Sequence, residues 1–367
     1  MRIVYRTPGF PPDIGGIETL AGQLLPALRE RGHEFLVIAG GASEIRADDA
    51  AEHDFAVRRF PFTSALMDRD LRRITELRAR GRQAEEEFEP DVVHLNFGGP
   101  DAFFHLFERH TPTVLTLHAP IPEGAGADPM TARLARSCSW TTAVSRAVLD
   151  DVLSFAPDIA DRSSVLYNGV TAPGRKLVAP SFDPPRILCL GRVSPEKGFD
   201  VAIDALPRVR QSHPDARLTI AGNGRALESL RTRAAARGVA DAVDFTGAVA
   251  RERVPELIEQ SSVVAIPSRW REPFCLVAVE AAQAGRPVVA SRIAGLQETV
   301  ADGETGALVP MEDAAALGRA LVELLDSPER AAAMGRAGHD RAGRLFGIDA
   351  CADAYDDLYR RLVPVAA

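Results

Sequence analysis

Lysine is almost missing from this chain. Of its 43 basic residues only Lys176 and Lys197 are lysines, so a lysine in a recognisable setting is a rare choice. Cysteine is scarce as well: Cys138, Cys189, Cys275 and Cys351 stand far apart and form no C-x-x-C pair. In a chain this large that spacing excludes a disulfide framework and gives no zinc motif, and a reducing cytoplasm is the expected compartment. Long hydrophobic runs are lacking too. Nowhere do 18 apolar residues run together, and the start MRIVYRTPGFPPD meets proline and aspartate before a signal-peptide core could form, so neither a membrane span nor an export signal is expected. An excess of positive charge is also absent: the formal net charge is −8, with 18 basic against 25 acidic residues up to position 170 and 25 against 26 beyond it. Bulk charge therefore holds no nucleic-acid partner. The histidines form no ligand-spaced cluster, and the one Asp-x-Asp, Asp68-Arg69-Asp70, falls within an expected Arg-rich helix, so no metal site is expected.

What is present is the grammar of a parallel α/β protein. At roughly 150 residues per domain, 367 residues suggest two domains, and 46% apolar with 26% charged residues is ordinary for a globular chain. Short β-branched runs alternate with amphipathic stretches, as repeated βα units require. The expected strands are 2–7, 34–39, 91–97, 113–119 and 141–145 in the first half, then 186–191, 216–222, 242–247, 262–268, 287–291 and 306–310 in the second. Between the first two strands Leu20, Leu24, Leu25 and Leu28 share a helical face that stops at Gly32. The segment 171–185 holds four prolines and no periodicity and is the expected linker. The expected domains are thus 1–172 and 183–346, each doubly wound and Rossmann-like, facing each other across a cleft. A closing helix in about 347–367, with Ile348, Cys351, Tyr355, Leu358 and Leu362 at helical spacing, is expected to pack back on the first. Ligands of such sheets bind beyond the carboxyl ends of the strands.

Four features lie at those ends. RVSPEKG puts Arg192 and Lys197 on one loop, a fork and a point charge suited to a diphosphate, although two solvated surface cations would read the same. EPFCLVAVE reads as a helix with Pro273 in its first turn, so that the N–H groups of 274–276 point at an anion and Glu272 and Glu280 stand roughly 12 Å apart at 1.5 Å per residue. That is about the span from hexose to ribose in a sugar nucleotide, whereas two ordinary surface acids would need no such partners. Glu280, between Val279 and Ala281, should be buried and should therefore have a partner. Gly15-Gly16 opens a helix after the first strand, where backbone can approach a ligand closely. His118 ends a strand and is expected to face the same cleft, though a lone histidine there is often structural. Gly222-Asn223-Gly224 also follows a strand, but Leu227 breaks the G-x-G-x-x-G fingerprint and argues against a dehydrogenase. The stretch 66–82 has six arginines with Leu66, Met67, Leu71, Ile74 and Leu77 near helical spacing, which reads either as a solvated helix or as a weak peripheral membrane contact.

Taken together, DIGG at 13–16, His118, NGV at 168–170, GRVSPEKG at 191–198, AGNG at 221–224, PSRWREPF at 267–274, the spaced glutamates and GRPVVAS at 285–291 resemble the retaining glycosyltransferases of family 4, which have the GT-B fold. The resemblance spans nearly the whole chain and is most specific in the second half. It implies transfer of a hexosyl or N-acetylhexosaminyl unit from a nucleotide-diphosphate sugar, UDP-sugars favoured, to an acceptor hydroxyl with retention and without metal or cofactor. It further implies that Arg192 and Lys197 neutralise the diphosphate, that Glu272 holds the transferred sugar and Glu280 the ribose, and that His118 lies by the reacting carbon. Gly15, Gly16, Gly222, Asn223, Val249, Phe274, Cys275 and Leu276 complete the implied donor site, and Asn96 and Asn168 lie toward a saccharide or lipid-linked acceptor. Cys275 stands where the family commonly has glycine, and Thr171 where it commonly has aspartate. A sugar-nucleotide epimerase and a non-catalytic nucleotide-sugar-binding regulator compete with this reading. A phosphorylase would need a cofactor lysine that two lysines scarcely supply.

Overall fold

The computed structural model describes residues 1–363 except 14, 48–53, 97–99, 106–109, 122, 123, 125, 127, 128, 173 and 175. Ile14 of the DIGG stretch, Phe97 at the expected end of the third strand and Pro173 of the proline-rich segment fall outside the described residues. The chain forms two compact units, Met1–Gly169 with Ile348–Ala367, and Val170–Gly347.

In the first unit β1 (Arg2–Thr7), α1 (Gly16–Glu30), β2 (Glu34–Ala39), β3 (Arg46–Ala47), β4 (Ala56–Arg59), α2 (Phe62–Met67), α3 (Leu71–Phe88), β5 (Val92–Asn96), β6 (Thr113–Leu117), α4 (Met130–Ser137), β7 (Trp140–Ala143), α5 (Arg146–Phe155) and β8 (Ser163–Val165) follow one another. They make a sheet of order β3-β4-β2-β1-β5-β6-β7-β8, parallel except for the β3-β4 pair. The central strands read as unbroken apolar runs because both faces are covered, as parallel sheets require; Ile3, Val4, Tyr5, Val92, Val93 and Leu95 are all closed to solvent. β3 and β8 at the edges, and β4 next to β3, are strands of two to four residues, too short to leave an alternating or apolar signature, and the sequence reading missed them.

The second unit runs through β9 (Arg186–Leu190), α6 (Phe199–Ser212), β10 (Arg217–Ala221), α7 (Leu227–Ala236), β11 (Val243–Gly247), α8 (Val254–Glu259), β12 (Val263–Ile266), α9 (Leu276–Gln283), β13 (Val288–Ser291), α10 (Leu296–Thr299), β14 (Gly306–Val309), α11 (Ala314–Leu325) and α12 (Pro328–Leu345). Its parallel sheet has the order β11-β10-β9-β12-β13-β14. The strand order reverses direction at β9, and ligands of doubly wound sheets sit at such a switch point. The last helix, α13 (Ile348–Leu362), returns to the first unit, where Cys351, Tyr355, Leu358 and Tyr359 join the cluster around Tyr5, Leu24 and Leu28.

Two expectations need correction. The stretch 66–82 is not one helix. α2 ends at Met67, Arg69 turns the chain in the left-handed region at φ 54°, and Asp70 caps α3 by accepting the Arg73 N–H at 3.0 Å. Ile74 and Leu77 face the core, whereas Met67 and Leu71 are 79% and 77% exposed, so the five apolar residues share no single outward face. Arg73 and Arg80 are paired with Asp68 and Glu76. The segment 171–185 is also no free linker, because it belongs to the second unit, which begins at Val170 and not at 183. The Ser181 carbonyl accepts from Ser262, Arg286 donates to the Val178 carbonyl at 2.7 Å, and Phe182 packs on the core. Among the described residues no helix is long and apolar enough to cross a membrane.

Candidate functional site

The carboxyl ends of β9 and β10 in the second unit are laid backbone against backbone. Gly222 (φ 137°) and Gly224 (φ 158°) pass the β9 loop so closely that a Cβ at Gly222 would lie 1.8 Å from the Gly191 carbonyl oxygen. Only glycine fits there, on both counts of conformation and space. The Gly191 N–H donates to Ala221 and the Val193 N–H to Asn223, at 2.9 Å each. Asn223 itself is exposed, and its Oδ1 accepts from the Gly224 N–H at 2.8 Å. This clamp sets the loop that carries both expected cations.

Arg192 stands exposed on that loop, and no ion-pair partner is found for it among the described residues. Lys197 is half-buried, and its Nζ lies 2.6 Å from Glu272 Oε1. Burial alone would lower the lysine's pKa, but the Glu272 carboxylate outweighs it and holds the value above the ordinary one, against repulsion from Arg192. Glu272 is buried and accepts a second bond on Oε1 from Ser268 Oγ at 2.9 Å. The loop bearing it is stitched to the Lys197 loop by the N–H groups of Arg269 and Trp270, both donating to the Glu196 carbonyl.

Pro273 is not in the first turn of a helix, as the sequence reading had it. α9 begins only at Leu276, so the helical distance between Glu272 and Glu280 does not apply, and Glu272 precedes the helix on a loop. The cause is Cys275, which caps α9 in the left-handed region at φ 74°. A residue with a Cβ pays about 1–2 kcal/mol in that conformation, which suits the glycine that the resemblance leads one to expect at this position. Burial pushes the Cys275 thiol up to about 12, with Glu272 acting in the same sense, so it is protonated at neutral pH. The Phe274 ring is buried edge-on against Phe346 at 5.4 Å, which leaves its main chain for a ligand. Val249 packs partly against the cluster around Leu188 and Ile266, and Leu276 is half-buried at the start of α9.

Glu280 is buried within α9, and the partner its burial called for is Arg251, whose Nη2 closes on Oε1. Desolvation holds the Glu280 pKa above the ordinary carboxylate value, and Arg251 opposes the rise without cancelling it. Nothing in the pattern around Arg251 set it apart from the neighbouring Arg253.

In the first unit Gly15 precedes α1 in extended backbone and Gly16 is exposed. A Cβ at Gly15 would lie 2.1 Å from Glu18 Oε2, so glycine here makes room for a carboxylate folded over the first helical turn. The preceding loop is anchored by buried Arg59, which donates to the Phe10 and Pro11 carbonyls. His118 is buried beyond β6, and its Nε2 lies 2.9 Å from Asn96 Oδ1. Burial lowers its pKa to about 4, so near pH 7 the ring is neutral. With the single proton on Nε2 donated to Asn96, Nδ1 is left as an acceptor. Asn96, expected on the acceptor side, is only 1% exposed, and its Oδ1 is turned to His118. Asn168 is buried too. His94, behind them, bridges Tyr359 and Thr116 at 2.6 and 2.7 Å, and burial, with a smaller effect of His118, drops its pKa to about 3.

These two histidines make a pH prediction. Unfolded histidine titrates near 6.5, so each buried neutral ring contributes stability that is complete above about pH 6.5 and is lost as pH falls, down to about 4 for His118 and about 3 for His94. The expected slope is about 1.4 kcal/mol per pH unit for each ring. In imidazole NMR titrations between pH 5.5 and 8 neither ring should shift; a midpoint near 6.5 for His118 would refute its neutrality.

Residues 177–341 match the family described as Glycosyl transferases group 1, and residues 14–172 match Glycosyltransferase Family 4. A glycogen synthase of Mycobacterium tuberculosis is 30% identical over 98% of this chain and 94% of its own. A GDP-mannose-dependent alpha-(1-6)-phosphatidylinositol monomannoside mannosyltransferase of the same species is 30% identical over 98% of both chains. Among solved structures, Anabaena HepE in complex with UDP superposes with a TM-score of 0.77 at 22% identity, over 98% of this chain and all of the other.

Proposed function

The chain belongs to the Glycosyl transferases group 1 family and is a glycosyltransferase with the GT-B fold, and from that premise we propose that it moves a hexosyl or N-acetylhexosaminyl unit from a nucleoside-diphosphate sugar to an acceptor hydroxyl with retention and without a metal ion. The observation that carries the donor assignment is the pairing of a free Arg192 with a Lys197 that Glu272 holds in place. An ammonium has three donors, so Lys197 can keep Glu272 and still offer protons to a phosphate oxygen. As the bond between the sugar's C1 and the phosphate oxygen breaks, negative charge grows on the diphosphate, where Arg192, Lys197 and the first N–H groups of α9 act most strongly. These fixed cations would do the work of a divalent ion.

The acceptor oxygen forms the new bond to C1 from the face the phosphate leaves, and its proton passes to that phosphate, releasing the nucleoside diphosphate. Glu272 Oε2, not engaged by Lys197, is assigned to a hydroxyl of the transferred sugar, and His118, in the first unit, offers Nδ1 as an acceptor. Glu280 is assigned to the ribose. A saccharide or lipid-linked acceptor fits the class of reaction.

UDP-sugars are the first donors to test, in line with the UDP bound by HepE; GDP-mannose is a second reading, favoured by the mannosyltransferase relative. A ligand at 100 times its Kd should stabilise the fold by about 2.7 kcal/mol. Thermal shifts with UDP, GDP, ADP and their sugars are expected to single out one nucleotide, and turnover with the matching sugar should survive EDTA. A shift without release of nucleoside diphosphate, across a panel of saccharide and lipid acceptors, would favour the binding-only regulator; conversion of the donor sugar itself would favour the epimerase.

A further inference from the structure

Arg251 opens the short turn Arg251–Arg253 between β11 and α8, in a stretch where two arginines flank Glu252. The pair behaves differently. Arg253 turns back on its own helix and meets Glu256 at 2.8 Å, an ordinary surface contact, whereas Arg251 reaches across to another element and closes on Glu280 Oε1 in the middle of α9. Every residue of that helix from Ala278 to Gln283 is buried. Glu280 Oε1 is shut off from solvent and, its ion pair with Arg251 apart, has no hydrogen-bond partner, whereas Oε2 is neither hydrogen-bonded nor shut off. The carboxylate is therefore used on one oxygen and open on the other.

A ribose hydroxyl bonds best to an ionised carboxylate, because a charged acceptor roughly doubles the strength of the bond and a protonated carboxyl gives up an acceptor position. A carboxylate this deeply buried stays ionised only with a cation against it. We infer that Arg251 is the positioning residue for nucleotide recognition: it holds Glu280 charged and oriented through Oε1 while Oε2 accepts the ribose 2′-hydroxyl. The inference rests on the assignment of Glu280 to the ribose above. Other charges near α9 do not take this part. Glu272 is engaged with Lys197 ahead of the helix, and the Cys275 thiol is neutral. Arg251 is itself 47% exposed on its side chain, so its removal disturbs no core.

The test compares the wild type with R251M, R251K and E280Q, binding UDP, GDP and their 2′-deoxy counterparts by calorimetry. The wild type should prefer the ribonucleotide. In R251M affinity for the ribonucleotide should drop about tenfold while that for the deoxynucleotide barely moves, the size of one lost charge-assisted bond. R251K, which keeps the charge, should restore most of the preference, and E280Q should abolish it. If E280Q loses the preference while R251M keeps it, Glu280 holds the ribose and Arg251 has no part. Tighter ribonucleotide binding by R251M would make Arg251 a stopper that the nucleotide must displace, and would overturn the inference. A preference unchanged in E280Q, or no binding of either diphosphate by the wild type, would overturn the ribose assignment and this inference with it.

Discussion

Replacing Lys197 by alanine is expected to cut kcat by about 10²- to 10³-fold, or about 2.7–4 kcal/mol, with a much smaller change in nucleotide affinity. The expectation follows from where the lysine's charge is most useful. Before reaction the diphosphate carries its charge spread out and shared with Arg192; as the glycosidic bond breaks, new charge appears on the leaving oxygen. A cation fixed by Glu272 at 2.6 Å and supported by Ser268 is already in place when that happens, with no reorganisation left to perform. The same pair complicates the experiment, because the alanine variant leaves Glu272 buried without its cation and should lower stability as well. A double variant with Lys197→Met and Glu272→Gln isolates the stability part: it should recover melting temperature, and the kcat of Lys197→Ala is then read at a temperature well below its own melting point, because Glu272 is itself assigned to the transferred sugar. Wild-type turnover by Lys197→Ala at saturating donor would remove Lys197 from the diphosphate. Arginine at this position is not expected to rescue fully, since a planar fork does not reproduce a point charge.

The largest loss of stability is expected from Arg6→Met, about 3–5 kcal/mol, a substantial share of the roughly 5–15 kcal/mol that a domain has. Arg6 is the penultimate residue of β1, with its side chain 1% exposed. Its Nε and Nη2 lie 2.8 and 2.7 Å from Glu85 Oε2, Nη2 also donates to the Gly81 carbonyl at 2.7 Å, and Nη1 meets His105 Nδ1 at 2.9 Å. One side chain thus ties α3 and the turn ending at His105 to the central strand. Methionine fills similar space but takes away the bonds to Glu85, Gly81 and His105 in the interior. Urea melts followed by a probe in the first unit should show the loss, and adding Glu85→Leu should return part of it, because the carboxylate that Arg6 balanced goes with it. A single variant within about 1 kcal/mol of the wild type would mean that solvent reaches Glu85 and that the pair adds little, as surface pairs do.

The α/β class and the longer strands of both sheets were legible in the sequence alone, because hydrophobic period and turn residues are local properties. RILCLG and PVVAS each lie over an observed strand, and the leucine face of 17–31 lies over α1. The closing helix was legible for the same reason: residues 348–362 keep one apolar stripe, and Cys351, Tyr355 and Leu358 are buried on it. The rest depended on partners distant in the chain. Arg6 meets Glu85 across 79 residues and Lys197 meets Glu272 across 75, and no spacing rule links such positions until the strands are paired. Arg251 and Arg253 are alike in sequence and separate only once α9 brings Glu280 under one of them. Asn96 reads as a polar strand end open to a ligand until β5 and β6 pair and put His118 on its amide. Where helices begin and end was also decided in three dimensions. A left-handed Arg69 splits a stretch of helical spacing so that Ile74 and Leu77 reach the core, and a left-handed Cys275 delays α9 past Pro273; each is a local conformation held by its surroundings against its own preference.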